Sequence, residues 1–165
     1  TSKMGSLGVD NREAFYNDKD LSRKDNAGMW RTLTSEEWYY LIKTRKNASQ
    51  LIGRGKIGNV QGLILLPDDW ETPQSMSFSS DDINEYSKEN WMVMQASGAV
   101  FLPAAGERNG TNVSNVNFSG SYWSSTAFDE QKASALYYYY NRGEVSVSRF
   151  YRDRGLAVRL VKDVK

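Results

Sequence analysis

Whatever chemistry this chain performs, it performs without histidine or cysteine, since neither occurs in its 165 residues. That removes the usual general base, the Ser-His-Asp arrangement and the commonest metal ligand. It also removes thiolate nucleophiles, Cys-ligated zinc or iron–sulfur centres and any disulfide framework. Carboxylates, hydroxyls, guanidinium groups and rings remain. The carboxylates include two adjacent pairs, Asp68-Asp69 and Asp81-Asp82. Calcium takes about six to eight oxygens from converging segments. Asp68-Asp69 follows Pro67 and reads more simply as a turn, and Asp81-Asp82 as a loop or helix-start pair. A glycosidase needs two carboxylates flanking a sugar groove, and no Asp/Glu pair stands out in an aromatic groove. The expectation is a non-enzymatic protein with no metal and no cofactor.

The rings and hydroxyls are concentrated instead. Between YWSST (Tyr122 to Thr126) and RGLAVRLV (Arg154 to Val161) lies ALYYYYNRGEVSVSRFYRDRG, with four consecutive tyrosines at Tyr137 to Tyr140. Tyrosine offers a large amphipathic surface with few torsions to freeze, so recognition surfaces favour it. The insert therefore points to binding rather than to catalysis.

The elements that must hold it follow from periodicity. Residues 1–29 are polar and read as a lead-in or tether, with a domain over 30–165. Thr34 with Glu37 three residues on is a capping box, and Trp38, Leu41 and Ile42 follow at helical spacing, which predicts a helix over Ser35 to Arg45. GLILLP (Gly62 to Pro67) reads as a buried strand and residues 71–86 as a loop. Ser87 caps a second helix, with Trp91, Met94 and Met92 as its apolar face and Gly98 at its end. Ala99 to Gly106 reads as a strand and Glu107 to Gly120 as a loop. GSYWSST is a strand, ASALYYYY and EVSVSRFYR form a hairpin about Asn141 to Gly143, and LAVRLV is a last strand. Two helices followed by strands give an α+β class with an antiparallel sheet and a C-terminal display hairpin.

Strand alternation divides the tyrosines. Tyr138 and Tyr140 share the face of Leu136 and turn inward, which leaves Tyr137 and Tyr139 outward. Across the turn Val145 and Val147 face in, and Ser146 and Ser148 face out. Trp30, Trp38, Trp70, Trp91 and Trp123 are expected mostly in the core. Arg159 is expected in a structural ion pair or backbone contact. Arg149 and Arg154 suit either a binding surface or the protection of a strand edge.

Lys plus Arg is 21 and Asp plus Glu is 20, a net charge of +1, which gives no electrostatic case for nucleic acid. No apolar run approaches the ~18 residues of a membrane helix. The first residues, Thr1-Ser2-Lys3, suit a trimmed piece of a longer chain.

Five blocks in order, WRTLTSEEW, GLILLPDDW, GAVFLPAAGER, GSYWSST and RGLAVRLV, carry a resemblance. Over roughly Met29 to Val164 the chain resembles the C-type-lectin-fold domains of gut Bacteroidetes. It is similar to the Fibrobacter succinogenes major paralogous domain family and to variable proteins diversified by retroelements, of which phage tropism determinants are distant relatives. The resemblance implies a C-type lectin-like fold and a receptor- or adhesin-like role, with a protein or glycan ligand. It also implies a cell-surface or extracellular place, or else a phage particle. The EPN and WND tripeptides of calcium-dependent lectins are absent.

Diversification in such proteins acts on adenines of Asn-type codons between the YWSS-like and final blocks. Carried onto this chain, the candidate ligand-binding positions are Ala127, Phe128, Ser134, Tyr137, Tyr139 and Asn141 before the turn. After it they are Ser146, Ser148, Phe150, Tyr151, Asp153 and Arg154. Glu130, Gln131, Lys132 and Glu144 are unreachable by that route, so an undiversified or structural domain of the same fold stands beside the diversified one, and a calcium-independent carbohydrate-binding module beside both.

Overall fold

In the computed structural model, which describes residues 30–162, strands dominate and two short helices precede the C-terminal sheet. The lead-in expected over residues 1–29 lies outside the described residues. Strand β1 (Trp30–Thr32) pairs antiparallel with β11 (Leu160–Lys162). Helix α1 (Ser35–Tyr39) then starts where the capping box places it. Thr34 Oγ1 accepts from the Glu37 N–H at 3.1 Å, and the Glu37 carboxylate accepts from the Thr34 N–H at 2.7 Å. Such a cap contributes about 0.5–2 kcal/mol. Arg31 grips the same carboxylate with two nitrogens, at 2.6 and 2.7 Å.

The helix is α over Ser35–Tyr39 and widens to a π turn over Tyr40–Thr44. The Arg45 N–H closes it on the Tyr40 carbonyl, five residues back, at 3.1 Å. The Arg45 side chain is then buried, 1% exposed. It donates to the carbonyls of Leu41 (2.7 Å), Leu66 (2.7 Å) and Leu51 (3.3 Å), with Asp68 as counter-ion at 3.1 Å. A buried cation is tolerable only when its donors are met in this way.

The first sheet has the order β4-β2-β3-β5, from β2 (Ile52–Ile57), β3 (Val60–Leu65), β4 (Ile83–Tyr86) and β5 (Val100–Pro103). It corrects two expectations. Residues 71–86 end in a strand rather than staying a loop, and β4 runs parallel to β2, so this sheet is mixed. Helix α2 (Lys88–Ala96) is capped by Ser87 and ends at Gly98, whose φ of +98° suits glycine. Trp91 and Met94 are buried, but Met92 is 69% exposed and takes no part in the apolar face. A small hairpin, β6 (Glu107–Asn109) with β7 (Asn112–Ser114), occupies part of the expected loop 107–120.

The second sheet has the order β10-β9-β8, from β8 (Ser119–Ala127), β9 (Lys132–Tyr139) and β10 (Glu144–Tyr151), antiparallel throughout. A 3-10 turn over Tyr140–Arg142 and Gly143 at φ +65° close the expected hairpin. β3 lies between two cores, as its continuous apolar run predicts. Leu63 and Leu65 join Trp38, Ile42, Leu136 and Tyr138, while Ile64 and Leu66 join Tyr86, Trp91 and Met94.

Two hydroxyls tie the sheets together. Tyr138 donates to the Leu102 carbonyl at 2.6 Å and Tyr122 to the Pro103 carbonyl at 2.7 Å. The Tyr138 ring reaches its place only because residue 120 lacks a side chain: a Cβ on Gly120 would lie 2.3 Å from the ring. Gly120→Ala is therefore expected to destabilise the domain by about 1–3 kcal/mol or more through overpacking. Tyr138→Phe is expected to cost about 0.5–1.5 kcal/mol by removing a buried hydrogen bond between the sheets. Thermal unfolding checks both, with a melting temperature lowered by roughly 2–4 °C per kcal/mol.

Candidate functional site

The candidate site is the outer face of the second sheet. Register places Tyr137 between Ser121 on β8 and Ser146 on β10, Tyr139 between Ser119 and Glu144, and Ala135 between Trp123 and Ser148. Tyr137, Tyr139, Ser146, Ser148 and Phe150 thus share one face, and Tyr138, Val145 and Val147 share the other. The tyrosine alternation expected from the sequence holds: Tyr138 and Tyr140 are 1% and 2% exposed, while Tyr137 and Tyr139 are half-buried.

The rings on this face pack against one another. β8 and β10 are two strand spacings apart, about 9.5 Å. Yet the Trp123 and Phe150 centroids are 6.5 Å apart and perpendicular, and Tyr137 and Phe150 are 5.9 Å apart. The rings therefore lean inward over β9, where Ala133 and Ala135 are small enough to lie beneath them and are buried. The result is a rigid aromatic ridge, flanked by the hydroxyls of Ser146 and Ser148 at 3.2 Å from each other. Arg142 stacks over the Tyr139 ring at 5.2 Å, at the turn end of the face.

Burial, and then Tyr139, Glu107 and Glu144, push the Tyr137 hydroxyl above the usual tyrosine range. It therefore stays protonated at neutral pH and can both donate and accept. Arg154, at 3.3 Å from Glu107, is half-buried in an ion pair beside this face. That is a structural role rather than free display.

The remaining candidate positions lie elsewhere. Asn141 and Asp153 are exposed at the turn and beyond β10. Ala127, Phe128 and Tyr151 gather at the far end of the sheet, where Lys132 lies over Tyr151 at 4.8 Å and Arg149 over Phe128 at 3.6 Å. Ser134 corrects the expectation of display. It is 8% exposed, and its carbonyl accepts from the Ser124 hydroxyl at 2.7 Å. Its parity puts it on the inner face with Leu136.

A groove of about 590 Å³ opens between α1 and this end of the sheet, with Glu36, Tyr39 and Thr44 on one wall and Phe128, Ser134 and Arg149 on the other. Hydrogen bonds from its own backbone N–H and from Ser35 hold the Glu36 carboxyl below the usual carboxylate range, so the helix wall is anionic.

Other expected roles change too. Trp30 is 60% exposed, unlike the buried Trp38 and Trp91. Arg159 is exposed and makes no hydrogen bond or ion pair among the described residues. Asp68 serves Arg45 and accepts from the Tyr40 hydroxyl at 3.0 Å, and Asp82 accepts from the Ser79 hydroxyl at 3.0 Å. Among the described residues no three carboxylates converge as a metal site would need. No described helix is long and apolar enough to cross a membrane.

A family model described as a domain of unknown function, DUF8237, matches residues 73–161, more than half of the chain. The chain belongs to the DUF8237 family. The matched stretch takes in β4 to β10, and with them the whole aromatic face of this DUF8237 chain. No curated protein and no solved structure matches the chain.

The tyrosines set a pH limit on the site. Burial pushes the Tyr122 and Tyr138 hydroxyls far above the usual range. A raised folded-state value means stability is fully present below the unfolded pKa of about 10 and declines as pH rises above it. Titration followed at 295 nm should show these two phenolates forming only as the near-ultraviolet circular dichroism of the fold is lost. A full complement of phenolate with the fold intact would contradict the burial.

Proposed function

We propose that this chain is a non-catalytic recognition domain that binds a protein or glycan partner through the outer face of its C-terminal sheet. The observation that carries the reading is the aromatic ridge of Trp123, Phe150 and Tyr137. It stands on a sheet whose opposite face is fixed to the core, so little ordering remains to be done on binding. Tyr139, Ser146 and Ser148 complete the surface with polar tips. We read the fold as C-type lectin-like, on the five sequence blocks. They fall at β1 to α1, at β3, at β5 to β6, at β8 and in the run into β11, the elements that hold the face. The same resemblance supports a cell-surface or extracellular location, with a phage particle as the alternative.

One observation favours an undiversified surface over one still rewritten by a retroelement. Glu144, which Asn-type codons cannot reach, lies on the outer face opposite Tyr139, and Lys132, also unreachable, stacks on Tyr151. A reverse-transcriptase gene beside this one, with a repeat matching the codons of residues 122–161, would reverse that preference.

The face is tested by screening the domain on a glycan array and an extracellular-protein array, then measuring the ligand found against the double variant Tyr137→Ala, Tyr139→Ala. Loss of two hot-spot rings should weaken binding by roughly thirtyfold or more, with melting lowered by less than about 5 °C. Unchanged affinity would move the site off this face. Turnover of a glycoside substrate by the wild-type chain would replace recognition with catalysis.

A further inference from the structure

The two edges of the second sheet are treated differently. The register and the bond from the Arg152 N–H to the Gln131 carbonyl at 2.9 Å fix which β10 residues bond to β9: Glu144, Ser146, Ser148 and Phe150. In an antiparallel ladder the alternate residues, Val145, Val147, Arg149 and Tyr151, then aim their N–H and C=O groups away from β9. At the β8 edge the corresponding outward groups are met. Ser119 accepts from Gly106, Ser121 accepts from Ala157, Trp123 donates to Ala157, and Ser125 donates to Leu33, at 2.8–3.0 Å. At the β10 edge only the Tyr151 carbonyl is met, by the Arg154 N–H at 3.1 Å. Among the described residues nothing pairs with the rest.

A strand of eight residues with no proline and an uninterrupted register is the kind of edge that natural sheets usually blunt. Here the register runs unbroken along the edge, and the groove beside α1 reaches it at Val147, Ser148 and Arg149. We propose that the β10 edge is a docking site for an extended peptide segment of a partner protein, which adds as a fourth strand. It would pair its main chain with Val145, Val147 and Arg149 and set one side chain into the groove. Main-chain pairing supplies affinity and the groove supplies selectivity, as in β-strand addition generally. A folded glycan has no main chain with which to satisfy alternating donors and acceptors, so the chemistry of the edge selects a polypeptide. Glu36 on one wall and Arg149 on the other give the groove a charge axis that orients the entering side chain. This surface is distinct from the outer aromatic face.

The test uses amide hydrogen exchange by NMR on the whole chain, with a nonapeptide selected from a random phage-displayed library as the probe. In the free protein the amides of Val145, Val147 and Arg149 should exchange at least about tenfold faster than those of Ser146, Ser148 and Phe150. Saturating peptide should erase that difference. Arg149→Pro removes an outward N–H at a position where an edge tolerates proline, and should weaken the peptide at least tenfold. Arg149→Ala, which keeps the N–H and removes only the charge on the groove wall, should weaken it by clearly less than Arg149→Pro does. Equal loss in both variants, a bound peptide that leaves the three amides as they were, or no peptide recovered would each overturn the proposal. So would protection of those amides that rises with protein concentration alongside a dimer in sedimentation, because a second copy would then own the edge.

Discussion

Everything at the candidate site depends on two buried phenols. Tyr138 and Tyr122 reach from the second sheet into the first and donate to the Leu102 and Pro103 carbonyls of β5. A phenol buried without a partner would cost roughly the full desolvation of its hydroxyl. Because both find carbonyls, the same rings supply apolar area to the core and fixed hydrogen bonds to the neighbouring sheet. They therefore set distance and rotation between the sheets, where aliphatic packing alone would tolerate sliding. Gly120 follows from this arrangement, since any side chain there would occupy the space of the Tyr138 ring.

That fixation explains how one run of four tyrosines does two jobs. With a side-chain period of two, the run cannot be all surface or all core. Tyr138 is fastened inward and Tyr137 and Tyr139 are thereby fastened outward, with no freedom to exchange roles. A one-residue slip in register would bury Tyr137 and Tyr139 and expose Tyr138. The face is thus specified by the bolts beneath it. Its rigidity comes from the small residues Ala133 and Ala135, over which Trp123 and Phe150 lean until they meet.

What the sequence made legible was local. The capping box, the apolar run of β3, the cap and end of α2, and the alternation through the tyrosine hairpin all state their reasons within a few residues. The first half of the sheet architecture does not. β2 carries Gly53 and Gly55, which lower strand propensity. They are there because Cβ atoms would lie 2.7 Å from the Phe78 ring and 2.5 Å from Ile64, contacts that the run of β2 itself does not show. β4 is a strand only because it pairs in parallel with β2, which no local pattern announces. The buried Ser134 was hidden by composition: serine reads as surface, but its parity with Leu136 was available and outweighs its polarity. The groove and the open edge were not legible at all, because both arise where α1 and β10 meet across about a hundred residues of chain.

The division of labour also decides where change is cheap. β9 has five of its eight residues buried, whereas β10 has none, with Val145 and Val147 only partly covered. Substitution at Ser146 or Ser148 removes no core contact and touches no groups that join the sheets. β10 therefore holds the register of the hairpin while leaving its outward side chains and its free main-chain edge uncommitted to the fold. A strand with so little of its surface required for stability is the one on which a recognition surface can vary without unfolding the domain. The strand with most of its surface required, β9, is the one that keeps that surface in place.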